Sequence, residues 1–173
     1  MRVAVLTVSD GVARGERDDR GGPAIADWCA AHGHDVVARA VVADESLAIV
    51  RTLLAWCDGD ACDLVLCTGG TGLAPRDVTP EALRAVLERE APGIAERLRV
   101  AELERFPRAA LSRGVAGVRH RTLVIALPGS PSGVRDGLAA LAPLLDHAVA
   151  IVRDRPTDHS PGAPPTRAEP GAA

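Results

Sequence analysis

The sequence predicts a doubly wound α/β fold, with one mostly parallel sheet carrying helices on both faces. Short, continuous apolar runs rich in β-branched residues recur along the chain and are typical of buried parallel strands. Segments whose apolar residues have helical spacing lie between these runs. Alternation of this kind favours three layers, in which the sheet lies between two layers of helices.

The predicted strands share apolar, mostly β-branched runs and lie at 3–8, 35–42, 64–67, 115–118 and 122–127. The predicted helices share an amphipathic spacing of apolar residues and lie at 24–31, between 46 and a return turn at 58–63, at 80–90, at 94–103 and at 133–152. The second helix should bury Leu47, Val50, Leu53 and Leu54. The last should bury Val134, Leu138, Leu141, Leu144, Leu145 and Ile151.

Residues with special backbone preferences set the ends of these helices. Pro23 suits a first helical turn and Gly33 a left-handed helix end. Thr79 can cap the helix at 80–90, because its hydroxyl can accept a bond from a free N–H group, and Pro80 fits the first helical position. Pro143 can kink or restart the last helix.

The composition predicts one domain at 1–153, because 173 residues with 47% hydrophobic content are enough for a substantial core. Residues 154–173 are rich in Pro, Gly and Ala without apolar periodicity, which predicts a disordered tail. We expect a cytoplasmic protein, because no signal-peptide pattern and no run long enough to span a bilayer are present. The four cysteines lack CxxC spacing and are expected to be buried thiols.

Several functional classes are excluded or disfavoured by what the chain contains. All 20 basic residues are Arg, so mechanisms that need a lysine, such as a P-loop or a Schiff base, are excluded. The net charge is −3 and only Trp28, Trp56 and Phe106 are aromatic. Nucleic-acid partners are therefore not expected, since they favour basic patches and base-stacking side chains.

The stretch 68–81, Thr-Gly-Gly-Thr-Gly-Leu-Ala-Pro-Arg-Asp-Val-Thr-Pro-Glu, is the most informative about function. It joins the end of a predicted strand to a predicted helix, which is where open α/β sheets bind ligands. The glycines leave backbone N–H groups unhindered and the threonines add hydroxyls, so the loop can cradle phosphate oxygens. Asp77 adds a carboxylate suited to Mg²⁺.

Polar loops follow three further predicted strands, at Ser9-Asp10, Asp44-Glu45 and 128–130. In a parallel sheet these loops and the glycine-rich loop would meet at one crevice. Asp44 and Asp77 are the carboxylates expected to hold Mg²⁺ against a nucleotide phosphate or to accept a proton. The alternatives are a helix cap for Asp44, turn formation for Asp77, and either a cap or a ligand contact for Asp10. Arg76 is expected to be solvated rather than bound to phosphate.

Together these segments resemble the molybdopterin-binding family. The resemblance is carried by Thr68–Gly72, by 76–81, by Asp19–Pro23 and by the turn at 127–131. Val42-Ala43-Asp44-Glu45 and Leu111-Ser112-Arg113 agree as well, except that Ala43 stands where the family has proline. The similar members are the molybdopterin adenylyltransferases of the Mog type, the G domains of plant and animal homologues, and their MoaB relatives.

The resemblance implies Mg-ATP-dependent adenylylation of molybdopterin with release of pyrophosphate, with Mg²⁺ as cofactor. It implies a homotrimer and hand-over of product to the molybdenum insertion protein. Asp44 and Asp77 match the family's two essential aspartates. The residues that it places around the substrates are Ser9, Asp10, Gly69, Gly70, Thr71, Gly72, Thr79, Glu81, Ser112, Gly129 and Ser130.

Three other functional hypotheses are compatible with the same fold. The first is a MoaB-like paralogue that binds molybdopterin or a nucleotide without catalysis. The second is a pyrophosphatase domain of the competence-damage type, although the partner domain often fused to it is absent from this sequence. The third is a trimeric scaffold module without nucleotide binding. Fold alone does not separate them.

Overall fold

The computed structural model describes residues 1–156, which form a six-stranded mixed sheet with helices around it. The strands are β1 (Arg2–Val8), β2 (Asp35–Val42), β3 (Leu64–Thr68), β4 (Arg89–Glu90), β5 (Ala116–Arg119) and β6 (Thr122–Leu127). The helices are α1 (Asp10–Ala13), α2 (Gly21–Ala31), α3 (Ser46–Asp58), α4 (Thr79–Val86), α5 (Pro92–Leu103) and α6 (Pro131–Val152), with a 3₁₀ helix at Pro107–Leu111. The predicted α/β fold class is confirmed.

The sheet has the strand order β2-β1-β3-β6-β5-β4. The first four strands in this order run parallel, and β4 and β5 run antiparallel at one edge. Every residue of β3 and of β6 is buried, as expected for parallel strands covered on both faces. The parallel strands therefore end at a common edge, and the loops that follow them lie side by side.

Helices cover both faces of the sheet because alternate strand residues point to opposite sides. Val3 and Val5 of β1 pack in a cluster with residues of α2, α5 and α6. Ala4, Leu6 and Val8 of the same strand pack in a second cluster with residues of α3 and α4. The three layers predicted from the sequence are thus present, with one apolar core on each side of the sheet.

Several details of the helices differ from the sequence prediction. Leu47 is 59% exposed, since α3 buries Ile49, Leu53 and Cys57 at four-residue intervals and Leu47 lies off that face. Ile151 is 55% exposed for the same reason, lying two residues after the buried Val149 of α6. Pro143 lies inside one continuous helix rather than dividing it.

The predicted helix at 80–90 ends earlier, at Val86. Leu87 is already extended, and Arg89–Glu90 pairs antiparallel with β5. The helix ends there because the backbone N–H groups of Glu88 and Ala91 donate to carbonyls of β5 instead of continuing the helical bonds. A short helix, α1, occupies part of the predicted loop at 9–22, and α2 begins at Gly21, ahead of Pro23.

A charged network lies where the parallel strands begin, around Asp63, which precedes β3 and is 2% exposed. Its carboxylate accepts hydrogen bonds from the backbone N–H of Arg2 at 2.9 Å and from the Arg2 guanidinium at 2.9 Å and 3.3 Å. Arg153, just after α6, lies 3.4 Å from the same carboxylate. Burial raises the pKa of Asp63, but the bonds from Arg2 outweigh it and hold that pKa below its usual value.

The end of the predicted domain continues slightly beyond residue 153. The backbone N–H groups of Asp154 and Arg155 donate to carbonyls of α6 at 3.1 Å and 2.9 Å. The rest of the predicted tail, 157–173, lies outside the described residues. Within residues 1–156, no helix is both long and apolar enough to cross a membrane.

Candidate functional site

Four loops meet at the edge where the parallel strands end, as the sequence predicted. The backbone N–H of Ser9, after β1, donates to the carbonyl of Val42 at the end of β2, at 2.9 Å. The hydroxyl of Thr68, at the end of β3, donates to the carbonyl of Pro128 after β6, at 2.7 Å. These two bonds join neighbouring loops in pairs, at the edge where the crevice was predicted.

The glycine-rich loop, residues 69–78, needs glycine for steric reasons. Gly69 and Gly70 have φ angles of +98° and +63°, which side chains rarely adopt. A Cβ atom on Gly69 would lie 2.1 Å from the Val8 carbonyl oxygen, and one on Gly70 would lie 2.9 Å from Asp44 Oδ1. The loop backbone therefore approaches both the end of β1 and the Asp44 carboxylate more closely than any other residue type would allow.

Thr79 closes this loop rather than capping α4. Its hydroxyl donates to the carbonyl of Gly69 at 2.9 Å, and its backbone N–H donates to the carbonyl of Gly70 at 3.1 Å. The residue before α4 is Val78, which offers no capping side chain. The predicted capping role of Thr79 is therefore wrong, because the hydroxyl is used to hold the two ends of the loop together.

Asp44 and Asp10 form a reciprocal pair. Asp44 Oδ2 accepts from the backbone N–H of Asp10 at 2.7 Å, and Asp10 Oδ1 accepts from the backbone N–H of Asp44 at 3.1 Å. Asp44 does not cap α3, whose entry residue Glu45 makes no side-chain cap bond. No hydrogen bond to Asp44 Oδ1 is seen among the described residues, and this oxygen lies against Gly70.

Arg76 meets Asp10 instead of being simply solvated. Its guanidinium donates to the two Asp10 carboxylate oxygens at 2.7 Å and 2.9 Å. This pair, helped by the bond from the backbone N–H of Asp44, lowers the pKa of Asp10 despite some desolvation. The Asp10 carboxylate is thus committed to contacts within the protein.

Asp77 closes a turn, and its side chain also lies beside the glycine-rich loop. Its backbone N–H donates to the Ala74 carbonyl at 2.9 Å, and its Oδ2 accepts from the Ala74 N–H at 2.8 Å, which closes a tight turn. Its Oδ2 also lies 2.7 Å from the point where a Cβ on Gly72 would stand. The turn therefore fixes one carboxylate oxygen of Asp77 beside the loop, and Oδ1 accepts no hydrogen bond from the described part of the chain.

Two cavities open on this edge and share part of their walls. One, of about 710 Å³, is lined by the ends of β1 and β3, the segment 15–21, Asp44 and the start of the glycine-rich loop. The other, of about 590 Å³, has a mostly apolar lining that includes Leu98, Phe106 and Leu111, with charged side chains such as Arg105. Gly70, Asp77 and Gly129 line both. We call them the polar and the apolar cavity; the Asp77 carboxylate stands where they meet.

The polar cavity is rich in negative charge. Its lining carries the carboxylates of Glu16, Asp18, Asp19, Asp44 and Asp77 and the guanidiniums of Arg17 and Arg20. A polyphosphate placed there would be repelled unless a divalent cation lay between the anions. No group of three or more His, Cys, Asp or Glu side chains within residues 1–156 is arranged to hold a metal ion by itself. Two carboxylates nevertheless fit Mg²⁺, which commonly takes its other ligands from substrate phosphates and water.

The structure brings most of the predicted site residues to the two cavities. The predicted residues that line the polar cavity are Ser9, Asp44, Gly69, Gly70, Asp77 and Gly129. The apolar cavity adds Thr71, Gly72, Ser112 and Ser130. Asp10, Thr79 and Glu81 line neither cavity, because their side chains bond to Arg76, Gly69 and Arg113 respectively.

Sequence reasoning missed other residues at this edge. Asp19 accepts from the Thr7 hydroxyl and from the backbone N–H of Gly22, both at 2.9 Å, which fixes the start of α2. Arg17 donates to the Ser9 hydroxyl at 2.9 Å. An Asp three residues before a buried glycine at a helix start was a usable capping pattern. The contact between Arg17 and Ser9 had no sequence signal.

The chain is similar to several known proteins. The family described as "Probable molybdopterin binding domain" matches residues 4–147. The chain is 38% identical over 154 residues to a protein of Helicobacter pylori J99 named molybdopterin adenylyltransferase, covering 88% of each chain. It is 40% identical over 162 residues to molybdenum cofactor biosynthesis protein B of Escherichia coli K12, covering 92% of this chain and 91% of that one.

Among solved structures, the chain is similar to a molybdopterin biosynthesis protein, MoaB, of Thermus thermophilus. The two are 51% identical, with a TM-score of 0.85, covering 91% of this chain and 99% of the other.

Proposed function

The chain belongs to the molybdopterin-binding domain family, and we propose that it transfers the AMP group of ATP to molybdopterin. A role in molybdenum cofactor biosynthesis is supported by the family and by the names of relatives that align with nearly the whole chain. The specific transfer is supported by the name of the Helicobacter pylori relative and by the shape of the site.

The observation that carries the proposal is the junction of two unlike cavities at Asp77. The apolar cavity suits a planar ring system, and the polar cavity suits a polyphosphate held with a cation. A transferase of this kind must bring two substrates together at one phosphorus atom. Gly70 of the glycine-rich loop lines both cavities, so the loop backbone lies where that phosphorus would be bound in this scheme.

In the proposed reaction, an oxygen of the terminal phosphate of molybdopterin attacks the α-phosphorus of ATP. A new P–O bond joins molybdopterin to AMP, the bond between the α-phosphorus and its bridging oxygen breaks, and pyrophosphate leaves with that electron pair. The attacking phosphate is already largely ionised at neutral pH, so little proton transfer is needed. Catalysis then rests on alignment of the two phosphates and on neutralisation of their charge.

Asp44 and Asp77 are the residues that would hold Mg²⁺ in this scheme. Each uses one carboxylate oxygen in a bond to the backbone, at 2.7 Å for Asp44 and 2.8 Å for Asp77, so both side chains are fixed before substrate binds. Bound Mg²⁺ would neutralise the triphosphate and polarise its α-phosphorus. The carboxylates of Asp18 and Asp19 would hinder binding of a triphosphate without a cation.

The proposal extends to assembly and cellular context. We propose a homotrimer in the cytoplasm that passes its product to the molybdenum insertion protein. Val37 and Val41, on the edge strand β2, are 45% and 43% exposed, which is consistent with a surface covered in an oligomer. Light scattering of the purified protein tests the trimer, since a monomer or dimer mass would contradict it.

The test is turnover of purified protein with molybdopterin, ATP and Mg²⁺, comparing wild type with Asp77→Ala. The variant should lose turnover and keep its fold, because Asp77 is partly exposed on a loop. Asp27→Ala is the matched control, since it removes the same group from the exposed face of α2.

Retained turnover in folded Asp77→Ala would contradict its assignment. Tight molybdopterin binding without turnover in the wild type would instead favour a non-catalytic paralogue of the MoaB type. A trimer that binds neither molybdopterin nor nucleotide would favour a scaffold.

A further inference from the structure

The glycine-rich loop depends on contacts from outside itself for its shape. Within it, Ala74 and Asp77 close one turn, and at its base Thr79 holds Gly69 and Gly70. The segment from Thr71 to Asp77, which carries one of the two proposed catalytic carboxylates, lies beyond that base. Its position relative to the cavities must therefore be fixed by another part of the chain.

Arg76 of this segment bonds to Asp10 through its side chain. Arg113, between the 3₁₀ helix and β5, contacts the backbone of the segment. Its backbone N–H donates to the Thr71 carbonyl at 2.9 Å, and its Nε donates to the Gly72 carbonyl at 2.7 Å. Its Nη2 donates to the carbonyl of Asp77 itself. One residue thus holds the loop at three carbonyls, on both sides of its turn.

We propose that Arg113 is a positioning residue, which sets where the Asp77 carboxylate stands between the two cavities. The proposal rests on the proposed function, since it gives Asp77 a role in transfer. Arg113 lines neither the polar nor the apolar cavity and instead faces a separate cavity of about 300 Å³. It therefore acts through the loop backbone and does not touch the substrates.

Glu81, on α4, completes the arrangement by orienting the guanidinium. Its two carboxylate oxygens accept from Nη1 and Nη2 of Arg113, the second at 3.4 Å. This hydrogen bond from Arg113 is the main reason why the pKa of Glu81 is lowered. The role of Glu81, which the resemblance placed at the substrates, is thus to hold Arg113 in the one orientation that reaches both Gly72 and Asp77.

The geometry requires arginine rather than any cation. A guanidinium is a rigid plane with five donors, so it can bond to two carbonyls and a carboxylate at once. A lysine ammonium is a point charge on a flexible stem and would hold one or two of these groups without fixing their separation. Arg113→Lys therefore keeps the charge and loses the geometry.

The experiment measures loop hydrogen exchange and steady-state kinetics in Arg113→Lys, with Arg84→Lys as control. Arg84 lies on α4 and pairs only loosely with Glu90, at 3.6 Å, without contacting the loop. We expect Arg113→Lys to lower kcat by about tenfold to a hundredfold, as for other residues that orient a functional group. Its KM for ATP should stay within about threefold of wild type, because substrate contacts remain.

Hydrogen exchange separates positioning from general stabilisation and does not depend on turnover. Amides of 71–77 should exchange faster in Arg113→Lys, while those of β1 and β3 keep wild-type protection. Faster exchange throughout the sheet, or kinetics equal to those of Arg84→Lys, would overturn the proposal. If the wild type shows no adenylylation, unchanged exchange in 71–77 overturns the positioning role, whereas faster exchange there supports it and only the proposed function fails.

Discussion

Substitution of Gly69 by alanine tests most sharply how the loop is built. Two independent costs arise at this residue. Its φ of +98° is unfavourable for any residue with a side chain, and its new Cβ would lie 2.1 Å from the Val8 carbonyl oxygen. That oxygen belongs to the backbone of a buried central strand, so it cannot move aside. The loop must move instead.

The size of the effect follows from these distances. A positive φ costs a residue with a side chain about 1–2 kcal/mol. Opening the contact from 2.1 Å to an ordinary separation moves the loop by about 1 Å, and a misplacement of about 1 Å can cost about 100-fold in rate. We therefore expect Gly69→Ala to lose about 100-fold in kcat and to be destabilised by more than about 1–2 kcal/mol.

Gly33→Ala is the matched control. Gly33 has a φ of +69°, but nothing lies within 4 Å of where its Cβ would stand. It follows the end of α2, away from the functional site. It carries the cost of the backbone angle without the clash. Its Tm should fall by about 2–8 °C, as expected for about 1–2 kcal/mol in a chain of this size, with unchanged turnover.

The assay is thermal unfolding and adenylylation of both variants beside wild type. If Gly69→Ala and Gly33→Ala lose equal stability and both keep full turnover, then the approach of the loop to β1 does not position the site.

Three further outcomes are expected. Asp44→Ala should reduce turnover more than affinity for molybdopterin, because Asp44 lines the polar cavity and not the apolar one. Equal losses of turnover and of molybdopterin affinity would indicate a role in the shape of the pocket. Thiol titration at about pH 8 should find no reactive cysteine in the native protein and four in denaturant, since burial raises all four pKa values, that of Cys57 to about 12; rapid labelling of native protein would contradict this. The free energy of unfolding should fall as the pH drops below about 4, because the pKa of Asp63 is lower in the folded chain than in the unfolded chain. The stabilisation from the Asp63 carboxylate is therefore complete above the unfolded pKa and is lost as the pH falls through the folded pKa. Asp63→Asn should weaken this pH dependence when unfolding is measured across pH, and an unaltered profile would contradict the role of Asp63.

The sheet and the crevice could be predicted because their causes are local. Continuous apolar runs identify β1, β3 and β6, and a parallel sheet places the loops that follow them at one edge. The glycines at 69 and 70 were predicted to leave the loop backbone unhindered; the structure shows positive φ angles there and no room for a side chain. Asp44 and Asp77 follow from the same reasoning, since both lie in loops after parallel strands.

What could not be predicted depends on contacts between distant residues. Arg113 lies far from the glycine-rich loop in the sequence, and nothing in the residues around it indicates that its guanidinium reaches Gly72. Thr79 matches a capping pattern, but tertiary contact with Gly69 takes its hydroxyl. Leu47 has the apolar character of a core residue, although the buried helix face is set by where α3 meets the sheet. These outcomes are decided by packing, which sequence spacing does not encode.

The central claim is tested most directly by following the α-phosphate of ATP. Purified protein is incubated with molybdopterin, Mg²⁺ and ATP labelled at either the α- or the γ-phosphorus, and the products are separated. We expect that α-label passes to molybdopterin, that γ-label leaves only as pyrophosphate, and that both transfers are lost in Asp77→Ala. Molybdopterin that stays unlabelled while it binds tightly, or γ-label released as inorganic phosphate, would contradict the proposed transfer.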